Sequence, residues 1–208
     1  ASGFVAGTAV FTSVIPTLAD NPHLAMIIFA VLILIYTFLG GYKAVCWTDF
    51  FQGLLMLAAL LMAPLFAVAL INGGQTATES VVLPEGYWNL FTNWKDVLSG
   101  LGWGLGYFGM PHIIIRFMSL RSDKDLRKSA KIGIIWTLLI LTFSVAAGII
   151  GHIFLGEISD SSVVFITMVR KIFPALISGL LLSAILAAAM STADSQLLAS
   201  ASAFASDV

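Results

Sequence analysis

The side chains best placed to do chemistry lie in residues 187–196, Ala-Ala-Ala-Met-Ser-Thr-Ala-Asp-Ser-Gln. There Ser191, Thr192, Asp194 and Ser195 interrupt an apolar segment that runs from Pro174 to about Phe204. On a helix, Ala188, Ser191, Thr192 and Ser195 fall at i, i+3, i+4 and i+7 and share one face. That face offers hydroxyl oxygens and the Ala188 carbonyl, neutral hard donors of the kind an alkali cation such as sodium prefers. One helix gives about three oxygens, and a dry site asks for more, by analogy with the roughly six to eight ligands of calcium. A second reading stays open beside this one. Ser and Thr in membrane helices also bond back to the i−4 carbonyl or pair with a neighbouring helix, and the surrounding alanines permit close packing.

Two further stretches could carry chemistry. Residues 103–111, Trp-Gly-Leu-Gly-Tyr-Phe-Gly-Met-Pro, make a poor continuous helix, since each Gly costs up to about 1 kcal/mol and Pro about 3 kcal/mol relative to Ala. Such a run at membrane depth reads either as a broken helix whose loosened backbone lines a cavity or as a packing seam between crowded helices. Trp103, Tyr107 and Pro111 are spaced by four, which would give one face an aromatic wall with a polar tip. Asp49 stands at the edge of an apolar run, and Asp49-Phe-Phe-Gln52 fits a capping box. A cation role and a capping role can coexist there. Asp194 is close to the hydroxyl cluster and could equally face water. His23, His112 and His152 are isolated, with no His/Cys/carboxylate grouping at metal-ligand spacing. There is no phosphate-cradling Gly loop with its lysine and no nucleophile–base pair, so an enzyme reading has no support.

The elements that must position these groups are membrane helices. Of 208 residues 59% are hydrophobic and 10% charged, with mean hydropathy +1.00, whereas soluble domains carry about 25% charged residues. The chain is therefore expected to be an all-α, polytopic membrane protein. A net charge of −1 speaks against a nucleic-acid partner, and the single cysteine, Cys46, excludes an internal disulfide. The chain opens Ala-Ser-Gly-Phe and stops at Ser206-Asp207-Val208, and both ends read as cuts in a longer protein. About six spans are expected. The first is the end of a helix to about Pro16, with Gly3 and Gly7 at a close-packing spacing. The others are about Leu24 to Leu39, Phe50 to Asn72 with a kink at Pro64, Lys95 to Met118, Ile132 to Leu155, and the segment from Pro174. Between them lie a turn at 17–23, a short loop at 41–49 and an interfacial loop at 73–94 with Tyr87, Trp88 and Trp94. A charged loop at 121–128 follows, then a loop at 157–171 with room for a short amphipathic helix. Lys43, Arg116, Arg121, Lys124, Arg127, Lys128 and Lys131 fall on one side, which by the positive-inside rule is the cytoplasm. Arg170 and Lys171 dissent.

Three motifs resemble a known family. Gly40-Gly-Tyr-Lys-Ala-Val-Cys-Trp-Thr-Asp-Phe-Phe-Gln52 resembles a signature of the sodium:solute symporters. Gly102-Trp-Gly-Leu-Gly-Tyr-Phe-Gly-Met-Pro-His112, with Arg116-Phe-Met118, is similar to the substrate helix of its proline-transporting members. Leu182-Ser-Ala-Ile-Leu-Ala-Ala-Ala-Met-Ser-Thr192 is similar to their sodium helix. Order and spacing agree over essentially the whole chain. The resemblance implies a LeuT-like inverted-repeat fold, of which residues 1–208 would be one transmembrane domain, an internal fragment from the end of core helix 3 through core helix 8. It implies a multi-pass protein of the plasma (inner) membrane that imports a small amino acid, L-proline above all, with sodium (Na+), by alternating access. Membrane lipid and the remaining helices of the full-length protein would be its other partners. Carried over by motif, Ala188 (carbonyl), Ser191 and Thr192 would hold sodium. Trp103, Tyr107 and Pro111 would line the substrate site, and Asp49 would support sodium coupling. Met110 departs from the pattern, standing where the proline-transporting members have Gln, which bears on the substrate. The alternative function is a symporter-like sensory domain of a larger signalling protein.

Overall fold

The computed structural model describes residues 5, 7, 8, 10–12, 15–74, 89, 93–107, 109–156, 158 and 160–207. Gly3 of the expected first span, Tyr87 and Trp88 of the interfacial loop, Phe108 of the Gly-rich run, and Glu157 lie outside them. Residues 5, 7, 8 and 10–12 are helical, and the helices whose bounds are described are α1 (Pro22–Asn72), α2 (Trp94–Tyr107), α3 (Pro111–Met118), α4 (Asp123–Leu155), α5 (Val164–Ile172) and α6 (Ala175–Asp207). Short 3-10 turns stand at Pro16–Leu18 and Ser161–Val163. Three of these helices, α1, α4 and α6, are long and apolar enough to cross a membrane.

α1 opens with Pro22 at its first turn, where the missing N–H costs nothing, and carries two expected spans in one element. They meet at Gly41 (φ 57°, ψ −159°), the one non-helical residue inside it. That backbone conformation is essentially closed to residues with a Cβ. The loop expected at 41–49 is thus corrected to a kink at one residue, and 42–49 form the first turns of the second limb. The capping box at Asp49 is overturned for the same reason. Asp49 lies inside a helix whose N–H groups are already used, so its carboxylate can bond to other helices. Pro64 lies inside the second limb, which continues through it with helical φ/ψ.

The expected span at 95–118 is broken, as one of the two readings of its Gly-rich run has it. It is two helices, α2 and α3, and before α3 Gly109 stands in a turn and Met110 is extended (φ −71°, ψ 125°). At about 1.5 Å per residue neither reaches across a hydrocarbon core of about 30 Å. The charged loop at 121–128 proves helical in all but its first residues. Ser122 caps α4, its Oγ accepting from the Asp125 N–H at 3.3 Å and donating to Asp125 Oδ2 at 2.8 Å. The amphipathic helix expected within 157–171 is α5, closed by Arg170 and Lys171 in its last turn.

α1 is the element most of the others pack on: its main contact is with α6, and α4 and α5 also lie against it. Ala59, Ala63 and Ala67 of the second α1 limb form one buried cluster with Leu181, Leu182 and Ala184 of α6, Ala147 and Phe154 of α4, and Met168 and Val169 of α5. The first limb forms a second cluster, in which Ala25, Phe29 and Ile33 meet Phe11 and Ala193. Small residues set these distances. A Cβ at Gly151 would overlap the Val164 side chain, and one at Gly7 would overlap the Phe29 ring. Lipid tails are as apolar as these side chains, so close van der Waals contact and interhelical hydrogen bonds, rather than expulsion of water, hold such helices together.

Candidate functional site

On α6 the oxygens of Ala188, Ser191 and Thr192 are joined by back-bonds, the local arrangement of the second reading. Ser191 Oγ donates to the Ala188 carbonyl at 3.0 Å, and Thr192 Oγ1 donates to the same carbonyl at 3.2 Å. Each hydroxyl spends its one proton there and keeps its lone pairs. The back-bonds hold both side chains in one rotamer, with Ser191 half-buried and Thr192 exposed. The fourth member of that face, Ser195, is buried and serves a different group of residues.

That group joins both limbs of α1, α3 and α6. Asp194 is fully buried, and Tyr36 Oη donates to its Oδ2 at 2.6 Å. Arg116 forms an ion pair with Asp49, and its Nη2 donates to Ser195 Oγ at 2.5 Å. Ser195 Oγ lies 3.3 Å from Asp49 Oδ2 and 3.4 Å from Asp194 Oδ1. With one proton it can serve only one carboxylate at a time. Asp49 Oδ1, Gln52 Oε1 and Thr37 Oγ1 are buried without a hydrogen-bond partner. A cavity of about 10 Å³ opens beside Arg116 and Ser195, bounded also by Tyr42, Cys46 and His112, with room for about one water molecule. Tyr42 Oη bonds Ser119 Oγ at 2.7 Å, and Ser119 Oγ donates to the Arg116 carbonyl at 2.8 Å, fixing the end of α3.

The expected aromatic wall is only partly formed. Trp103 and Tyr107 pack against each other on α2, ring centroids 5.1 Å apart and tilted by 56°, and both are exposed. Pro111 starts α3 beyond the break, so it does not continue their helical face.

Arg116 and Tyr36 are the participants that reading the sequence missed. Arg116 was counted with the charges that set orientation. A better signal was available: it is a lone cation among Ile-Ile-Ile and Phe-Met, and an ionised side chain in an apolar segment needs a partner. Tyr36 gave no comparable signal, because a tyrosine in an apolar run is ordinary and its carboxylate partner is 158 positions away.

A chain of long apolar helices that bring paired charges and clustered hydroxyls together is that of a polytopic membrane protein, in which such groups are costly. The family model for the sodium:solute symporter family matches residues 1–208. The chain is 42% identical over 212 aligned residues to the sodium/proline symporter 2 of Staphylococcus saprophyticus, covering 99% of this chain and 41% of that protein. It is likewise 42% identical, with the same coverage, to sodium/proline symporters of Staphylococcus aureus. No solved structure matches it. The chain belongs to the sodium:solute symporter family, a family of multi-pass plasma-membrane transporters rather than enzymes. It spans about two fifths of the length of the curated relatives it matches (41%).

Proposed function

We propose that this chain is part of a sodium-coupled importer of a small amino acid, L-proline in the first place. The observation that carries the ion half of this reading is the charge balance of the site. Arg116 is paired with Asp49, and Asp194, held by Tyr36 and Ser195, has no ion pair among the described residues, so with both carboxylates ionised the cluster carries one uncompensated negative charge. A buried anion in a membrane is stabilised by a mobile cation, and the unpartnered Asp49 Oδ1 leaves one acceptor free for it. Ala188, Ser191 and Thr192 supply the neutral oxygens nearby on α6 as the direct sodium ligands, with Asp49 in a coupling role. The remaining ligands belong to helices of the full-length protein outside residues 1–208.

The break between α2 and α3 supports the substrate half. Discontinuous helices at membrane depth are where transporters of the LeuT-like inverted-repeat type bind their substrate. Trp103, Tyr107 and Pro111 flank this break, as a site for a small amphipathic amino acid requires. Sodium drives import if it binds the outward-open state better than the inward-open state, because only differential affinity shifts the equilibrium. The test is uptake of labelled proline by the full-length protein in vesicles. Accumulation should require an inward sodium gradient, and equal uptake with and without the gradient would end this reading.

A further inference from the structure

The first turns of α4 carry a pattern that ion coupling does not use. Lys124, Arg127, Lys128 and Lys131 are all exposed, and at about 100° per residue they fall within an arc of about 100°. Asp123 and Asp125, the acidic residues of the first turn, lie to either side of that arc. Arg121 adds a further exposed cation just before the helix. Among the described residues, the ion pair found is that of Arg116 with Asp49, so no described carboxylate pairs with the stripe. This arrangement opposes the helix dipole, which favours anions at an N-terminus and disfavours cations.

The stripe points away from the protein. Ala147, Gly151 and Phe154, the buried residues of α4, lie on the opposite side of the helix. Above the stripe, on its own face, the helix continues with Ile135, Leu138 and Val145, each about 60% exposed (60%, 61% and 62%). One face of one helix is thus apolar along the membrane-crossing part and cationic for the two turns below it. Orientation during insertion depends on how many basic residues a loop holds and is indifferent to their angle around a helix. The alignment therefore needs another cause. We propose that this stripe is a docking surface for the headgroups of anionic phospholipids, whose acyl chains lie along Ile135, Leu138 and Val145.

The test keeps charge constant and moves it. In the full-length protein, Arg127→Ala with Ala130→Arg, and Lys128→Ser with Ser129→Lys, preserve the number of cations and take two of them off the face. Purified protein in neutral detergent is titrated with phosphatidylglycerol and with phosphatidylcholine, and bound lipid is counted by native mass spectrometry. The unaltered protein should prefer phosphatidylglycerol, and the preference should fall about 30-fold in the swapped protein, at about 1 kcal/mol for each cation moved. The variant Lys124→Arg, Lys128→Arg, Lys131→Arg should fold and keep the preference. Excess inorganic phosphate should not displace the bound lipid. An unchanged preference in the swapped protein would overturn the proposal, as would displacement by phosphate alone. So would the absence of any preference in the unaltered protein, the result expected if another part of the full-length chain covers the stripe. None of these outcomes depends on sodium or proline, so they are independent of the transport reading.

Discussion

Breaking the Arg116–Asp49 pair from its cationic side should destabilise the protein far more than neutralising both partners. The Asp49 side chain is 10% exposed and that of Arg116 45% exposed. Removing one partner of a fully buried pair costs about 3–5 kcal/mol, whereas exposed pairs contribute about 0.2–1 kcal/mol. With a buried anion and a half-solvated cation, Arg116→Gln falls between these limits, at about 2 kcal/mol. Asp49→Asn removes the charge and keeps an oxygen for Ser195, so its cost is that of a weakened hydrogen bond, about 1 kcal/mol. The double variant strands no charge and should cost about 1 kcal/mol rather than the sum, a coupling of about 2 kcal/mol. The assay is equilibrium unfolding of the full-length protein in mixed micelles, followed by tryptophan fluorescence, for the four members of the cycle. Costs that add to within about 0.5 kcal/mol would show that the two side chains do not hold each other, and the site as described would be wrong.

Three further outcomes follow from particular residues. Gly41→Ala should lower the thermal midpoint, since its φ of 57° with ψ −159° is closed to alanine at a cost of about 1–3 kcal/mol; an unchanged midpoint would mean that the kink does not depend on that conformation. Ser191→Ala with Thr192→Ala should raise the sodium needed for half-maximal proline uptake much more than it lowers capacity at saturating sodium, and an unchanged sodium requirement would remove both from the ion site. Asp160, in the loop before α5, accepts from the Ser162 hydroxyl and N–H at 2.7 and 2.9 Å, and these bonds hold its carboxyl below its usual value. Because that value is depressed in the folded state, its contribution is complete above the usual carboxylate value and is lost only as pH falls through the lower one. In carbon-detected NMR, Ser162→Ala should move the Asp160 titration upward, and no movement would refute the turn.

Much of the architecture was legible because lipid imposes it. Apolar runs of sufficient length mark helices, and the breaking power of Gly109 and Pro111 marked the interruption between α2 and α3. The starts of helices were less legible. Hydropathy reports where a helix enters the membrane, not where it begins, and the Asp123–Lys131 turns are good helix formers with a Ser cap that happen to be charged. The kink in α1 is hard to tell from a helix end, because Gly40-Gly41 is a helix-ending pair by type, whereas only Gly41 departs from helical geometry. At the candidate site, the back-bonding of Ser191 and Thr192 follows from local spacing alone and was read as one of two possibilities. The Arg116–Asp49 and Tyr36–Asp194 contacts join positions 67 and 158 apart. Nothing in a single sequence pairs such residues, because the pairing is made by how helices pack.

The way α3 is held bears on how ion occupancy could reach the substrate side. No residue of α3 is fully buried, and Ile113 and Ile115 are half-buried. Its side-chain hydrogen bonds to other helices are Arg116 to Asp49 and Ser195, and at its end Ser119 to Tyr42. Each of these competes with water or with a mobile cation, unlike the packed alanines of α1 and α6. A cation that draws the Asp49 carboxylate or the Ser195 hydroxyl toward itself weakens the hold of Arg116, and the helix that begins at the break is released from α6. On the transport reading, the ion then shifts the position of the element next to Trp103 and Tyr107 without touching either, which is how binding at one place can alter a neighbouring one through a shared two-position helix. Sodium should therefore quicken hydrogen exchange at the α3 amides of Ile114 to Phe117 in the full-length protein, and exchange indifferent to sodium would separate α3 from the ion site.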